Sequence, residues 1–147
     1  MDPNLSLYRW IASKIEVAEG YGKPDAIPTC ANNPGDLELG NRFGLTAVHA
    51  GETYTGSIKG VTIFAKCDPD PDIEDPRDGR AALWREVRLI LTGRSTAGYK
   101  PDWTILQVAN KWTRTDPEDW ARIVSEGLGV LPSTPLNEIQ PPAALSA

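Results

Sequence analysis

Glu19 stands where a helical run ends and an irregular loop begins, in VAEGYGKPDAIPTCANNPGDLELGN (residues 17–41). A negative charge at a helix C-terminus opposes the macrodipole, which favours the protonated form of the acid. A carboxylic acid that keeps its proton near neutral pH is what general acid catalysis needs. Other chemistries are poorly supplied. His49 is the single histidine, and LTAVHAGETY around it holds no companion carboxylate or nucleophile signature, so it reads as a surface strand residue. Cys30 and Cys67 fit neither a CxxC pair nor a zinc site, and free thiols or one disulfide both remain open. The acidic run CDPDPDIEDPRDG lacks the spacing of a calcium loop and is stiffened by Pro69, Pro71 and Pro76, which makes a solvated loop the expectation.

The elements that must position Glu19 follow from periodicity. Residues 4–19 read as a helix capped by Asn4, with Leu7, Ile11, Ile15 and Ala18 at helical spacing and Gly20 and Gly22 as its stop. From Gly22 to Phe64 the texture is short apolar runs, DLEL, GLTAV and VTIFA, separated by turn signals, which predicts a small antiparallel sheet leaning on helices. Helical spacing returns after Asp75 or Asp78, with Leu83, Val87, Ile90 and Leu91 as the stripe and Gly93 as the stop. WTILQVANKW offers another helix. A last one opens with Asp116 and Pro117, carries Trp120, Ile123, Val124 and Leu128, and ends at Gly129. The expected fold class is α+β: an N-terminal helix, a small antiparallel sheet, then a C-terminal helical lobe. Residues 1–131 form one domain in this reading. Residues 132–147, rich in proline, form an extended or disordered tail.

Bulk properties set the class. The 147 residues suffice for one core-bearing domain, and 40% hydrophobic with 24% charged residues is ordinary for a globular chain. A net charge of −5 argues against nucleic acid, whose phosphates call for clustered Lys and Arg. No apolar run approaches the roughly 18 residues of a membrane span, so no membrane insertion is expected. MDPNLSLYRWIASK has no basic start before an apolar stretch, so the protein is expected to be made in the cytoplasm without a leader of its own.

Together IEVAEGYG, NNPGDL, VTIFA, GRAAL and VSEGLGV resemble a lysozyme-like, peptidoglycan-cleaving family found among phage and prophage endolysins and virion-associated muramidases. Its members show a helix ending in Glu-Gly, an Asn-Asn-Pro-Gly-Asn-Leu loop, an aromatic-rich strand and a Gly-x-x-Ala-Leu helix. The likeness covers residues 8–131, and the Asn-Asn-Pro-Gly block is its more specific part. The resemblance implies that Glu19 protonates the glycosidic oxygen between N-acetylmuramic acid and N-acetylglucosamine. It implies a saccharide cleft walled by the sheet on one side and the C-terminal helices on the other. Asn32 and Asn33 would bond sugar hydroxyls or acetamides or lock the turn, with turn-locking expected of at least one. Tyr21, Tyr99 and Trp112 are candidates to pack on sugar faces, or else core. The implied partner is the glycan strand of bacterial peptidoglycan, met by a monomer without cofactor or metal, after release or as part of a virion or secretion machine.

The chain departs from that pattern at Asp36, where the family has Asn, and in its acidic charge, which works against adsorption to an anionic wall. Asp36 thereby becomes a candidate second catalytic carboxylate, with Asp25, Glu38 and Glu52 as alternatives. Inverting hydrolysis needs such a partner roughly 6.5–9.5 Å from the acid, and retention about 5–5.5 Å. Without one, the sugar's 6-hydroxyl can attack and leave an anhydro end, as in lytic transglycosylases. Hydrolysis is the preferred expectation. Two rivals come from other classes. A non-catalytic binding module would suit the five tryptophans and the acidic surface, but has no need of an acid at a helix end. A zinc peptidase or amidase is poorly served by one histidine.

Overall fold

Apolar residues at helical spacing make the first element, with Ile11 and Ile15 buried as the spacing predicts and Tyr8 rather than Leu7 as the first buried member. In the computed structural model, which describes residues 2–38, 57–58 and 60–142, α1 runs Leu5–Ala18 and buries Tyr8, Ile11, Ala12 and Ile15. Tyr8 N–H donates to Asn4 O at 3.1 Å, the first bond of the helix, while Asn4 N–H donates to Asp2 Oδ1 at 2.9 Å. Gly20 at φ 75° and Gly22 at φ 101° then take left-handed backbone that stops the helix.

The chain divides into two compact units, Met1–Ala18 with Glu86–Ala147, and Glu19–Arg85. In the first, α1 packs on α5 (Pro117–Leu128), and α5 packs on α4 (Ile105–Trp112). Their apolar faces meet around Ile15, Ile90, Val108, Trp120 and Val124. Gly127 permits the α1–α5 approach, because a Cβ there would come within 2.7 Å of the Lys14 stem. Both helices start on side-chain caps. Thr104 Oγ1 accepts from Gln107 N–H at 3.1 Å while Gln107 Oε1 accepts from Thr104 N–H at 2.8 Å, a reciprocal capping box. Asp116 accepts from Asp119 N–H ahead of Pro117, and Gly129 closes α5 in the left-handed region, as the sequence predicts.

The proline-rich segment is not loose. Its carbonyls supply acceptors for first-turn N–H groups of α4 that have no helical partner. Ile105 N–H donates to Thr134 O at 3.2 Å and Leu106 N–H to Pro132 O at 3.0 Å. A 3-10 turn at Leu136–Glu138 then buries Leu136 and Ile139. The expected extended or disordered tail is therefore corrected over residues 132–142. The sequence showed the prolines but not the donors awaiting their carbonyls.

Among the described residues of the second unit the expected sheet is not found. Among the described residues the chain is mostly helical, and its strands are one antiparallel pair of two residues each, β1 (Ser57–Ile58) and β2 (Val61–Thr62), with isolated bridges at Lys66–Asp78 and Thr104–Pro135. This overturns the α+β assignment. VTIFA forms strand only over Val61–Thr62. Beyond it, Phe64 N–H donates to Ala31 O at 2.9 Å, and Ala65 and Lys66 N–H both donate to Arg77 O at 3.1 and 3.3 Å, bonds to turning segments that extend no ladder past the Lys66–Asp78 bridge. DLEL is loop over Asp36–Glu38. GLTAV, His49 and Glu52 lie outside the described residues. The texture read as strands also contains an unforeseen one-turn helix, α2, at Ile27–Cys30. Cys30 is exposed and Cys67 half-buried, and the two are not joined in a disulfide.

Helix α3 spans Gly79–Leu91, and Asp78 rather than Asp75 caps it. Asp78 is fully buried. Its Oδ1 accepts from Arg80 N–H at 2.8 Å and Ala81 N–H at 2.9 Å, while Oδ2 accepts from Asp68 N–H at 2.6 Å. The acidic run is also more ordered than a solvated loop. Lys66 Nζ lies 2.8 Å from both Asp68 and Asp75, Arg80 donates to Asp68 O, and Arg85 donates to Ile73 O and Asp75 O. Burial resists ionisation of Asp75, but hydrogen bonds from Lys66 and Arg77 outweigh it and hold the acid at about 2.

Candidate functional site

Glu19 follows the last residue of α1 directly and is half-buried. The turn after it is tied to the Asn-Asn-Pro-Gly-Asp loop in two ways. Gly22 N–H donates to Thr29 Oγ1 at 2.9 Å, on the one-turn helix α2 that runs straight into Ala31 and Asn32. The Tyr21 ring lies under the Arg80 guanidinium, 5.4 Å from its carbon to the centroid. Arg80 adjoins Gly79, whose backbone lies against the Asn32 carbonyl so closely that a Cβ would overlap it.

The loop itself is built from the inside. Asn33 has no solvent exposure. Its Nδ2 donates to Leu37 O at 2.9 Å and Thr62 O at 2.8 Å, and its Oδ1 accepts from Leu37 N–H at 2.9 Å. An amide so placed locks the loop and does not reach a sugar, so its substrate-binding assignment is corrected. Asn32 takes a left-handed φ of 51° and donates through Nδ2 to Phe64 O at 3.1 Å. It is half-buried and keeps a face of the loop.

Gly35 does not hold the positive φ that a turn of this composition suggests. The left-handed positions are Asn32 and Asp36, on either side of the Pro-Gly pair. Gly35 is needed instead for close packing, since a Cβ there would stand 2.7 Å from Leu83 Cδ1 in the buried face of α3.

Asp36, at φ 53°, is half-buried with its Oδ1 shut off from solvent. Burial first, and the nearby charge of Glu38 second, push its acid above the usual carboxylate range. The sequence offered no signal for this environment. It depends on where the donors of Asn33 and Leu37 are spent.

Tyr99 and Trp112 belong to the other compact unit. They form a run of rings with Trp103 and Trp120, each adjacent pair 5.8 Å apart between centroids, in the order Trp103, Tyr99, Trp112, Trp120. Trp120 is buried core, and Trp112 also lines the apolar interior with Ile11 and Ile15. Lys111 Nζ sits 5.5 Å from the Tyr99 ring centroid. Of the predicted site residues, Glu19, Tyr21, Asn32, Asn33 and Asp36 thus share one unit, and Tyr99 and Trp112 lie in the other.

Among the described residues no group of three or more His, Cys, Asp or Glu side chains is placed to hold a metal ion, and no helix is long and apolar enough to cross a membrane. No protein family, curated protein or solved structure matches this chain.

Proposed function

We propose that this protein cleaves the glycan strands of bacterial peptidoglycan, at the β-1,4 bond from N-acetylmuramic acid to N-acetylglucosamine, with Glu19 as the general acid. The observation that carries the reading is the tie between the turn bearing Glu19 and the Asn-Asn-Pro-Gly-Asp loop, made by Gly22 with Thr29 and by Tyr21 with Arg80. It attaches an acid at the end of a helix to a loop held rigid by a buried amide. Rigid attachment matters because misplacement by about 1 Å can cost on the order of a hundredfold in rate. Glu19 is half-buried and sits just past the C-terminal end of α1, where the helix dipole opposes a negative charge. Those are the conditions under which a carboxyl serves as a proton donor to a leaving oxygen.

The test is mass analysis of purified peptidoglycan after incubation with the protein. Fragments with new reducing ends are expected for hydrolysis. Anhydro ends would move the mechanism to attack by the 6-hydroxyl while keeping the acid. Intact glycan strands would overturn the function.

A further inference from the structure

We propose that Asp36 is a proton-carrying carboxyl that offers a hydrogen bond to an uncharged oxygen of the bound ligand, and so is neither the base nor the nucleophile of the reaction. That the ligand is a glycan, with an acetamido carbonyl as the acceptor, rests on the function proposed above; the state of the proton does not.

The donors around Asp36 are committed elsewhere. Its own N–H goes to Asn33 O at 3.0 Å. Leu37 N–H, the next donor along the chain, goes to Asn33 Oδ1, and both bonds of Asn33 Nδ2 go to backbone carbonyls. Asp36 Oδ1 is enclosed and meets no hydrogen-bond partner among the described residues. An ionised carboxyl here would place part of its charge on Oδ1, which has neither solvent nor a donor among the described residues to stabilise it.

The charged neighbour acting on it is Glu38, of like sign. Protonation removes the repulsion and converts an acceptor-only group into a donor. The backbone adds a constraint. A left-handed φ is tolerated by Asn and Asp better than by other side chains, and the buried Asn33, Pro34 and Gly35 fix the loop from within. Because Asp36 as a whole is only half-buried, part of its side chain remains within reach of a ligand. A neutral carboxyl that donates a hydrogen bond is an established device for apolar or enclosed sites.

Carbon-detected NMR titration of the Asp36 carboxyl in the full chain decides the protonation. A midpoint above the pH of the binding assay is expected, and a midpoint below that pH, even if above the ordinary value of about 3.9, overturns the proposal. Binding decides the role, with a tetrasaccharide of N-acetylglucosamine as the probe. Asp36→Asn keeps a donor at this position and suits the backbone, so its affinity should stay within about threefold of the parent. Asp36→Ala should lose about tenfold. Equal loss in both variants, with melting curves showing them folded, would show that the charge matters and overturn the donor role. Failure of the parent protein to bind the probe would overturn the ligand assignment together with the glycosidase reading, while the titration still decides the proton.

Discussion

The side-chain amide of Asn33 fastens Leu37 to Thr62, donating to the carbonyl of each at 2.9 and 2.8 Å from a position with no solvent exposure. Removing it leaves the Leu37 N–H without its acceptor and takes one donor from each carbonyl, while Leu37 O still accepts from Thr62 N–H at 2.9 Å. Asn33→Ala should cost about 2–3 kcal/mol of folding stability, read as a lower urea midpoint. A loss under about 1 kcal/mol would show that water replaces the clamp.

Gly79 is set by contact and not by φ. It opens α3 with its Cα against the Asn32 carbonyl, where any Cβ would overlap that oxygen. Gly79→Ala normally favours a helix, by nearly 1 kcal/mol. Here it should destabilise by about 3 kcal/mol, because the obstacle is backbone and cannot swing away. A calorimetric melt that leaves the melting temperature unchanged would refute this close approach.

Asp75 provides a pH test. Its folded-state acid lies at about 2, below the unfolded value of about 3.9. A depressed carboxyl contributes stability above the unfolded value, and that contribution is lost as pH falls through the folded one. Asp75→Asn should therefore melt at a lower temperature than the parent at pH 7. The gap should narrow below about pH 4 and close near pH 2. A gap that stays constant across this range would mean that Lys66 and Arg77 act on Asp75 through packing alone.

What the sequence made legible was local. The stops at Gly20, Gly93 and Gly129 and the cap at Asp116 follow from chemistry within a few residues, and each is present. The Thr104–Gln107 capping box is equally readable from its spacing. What failed was long-range. VTIFA has the composition of a strand, but Phe64 and Ala65 spend their N–H groups on Ala31 and Arg77, in two different turning segments, so no ladder extends. The tail from Pro132 looked unstructured because its role is to accept bonds from Ile105 and Leu106, which periodicity does not register. Within the candidate site, Glu19 and the loop are marked in the sequence by residue type alone. The division of labour between Asn33, buried as a clamp, and Asp36, whose Oδ1 is enclosed without a donor among the described residues, required the three-dimensional positions of Leu37 and Thr62.

The account turns on Glu19 as the acid, and the most direct measurement is the rate of release of soluble glycan fragments from peptidoglycan by the parent protein and by Glu19→Gln. Glutamine keeps the shape and removes the titratable proton. The account predicts that the parent releases fragments and that Glu19→Gln, with a melting temperature close to the parent's, releases them at least about a hundredfold more slowly, as expected for loss of general acid catalysis. A folded Glu19→Gln protein that cleaves at the parent's rate would contradict it.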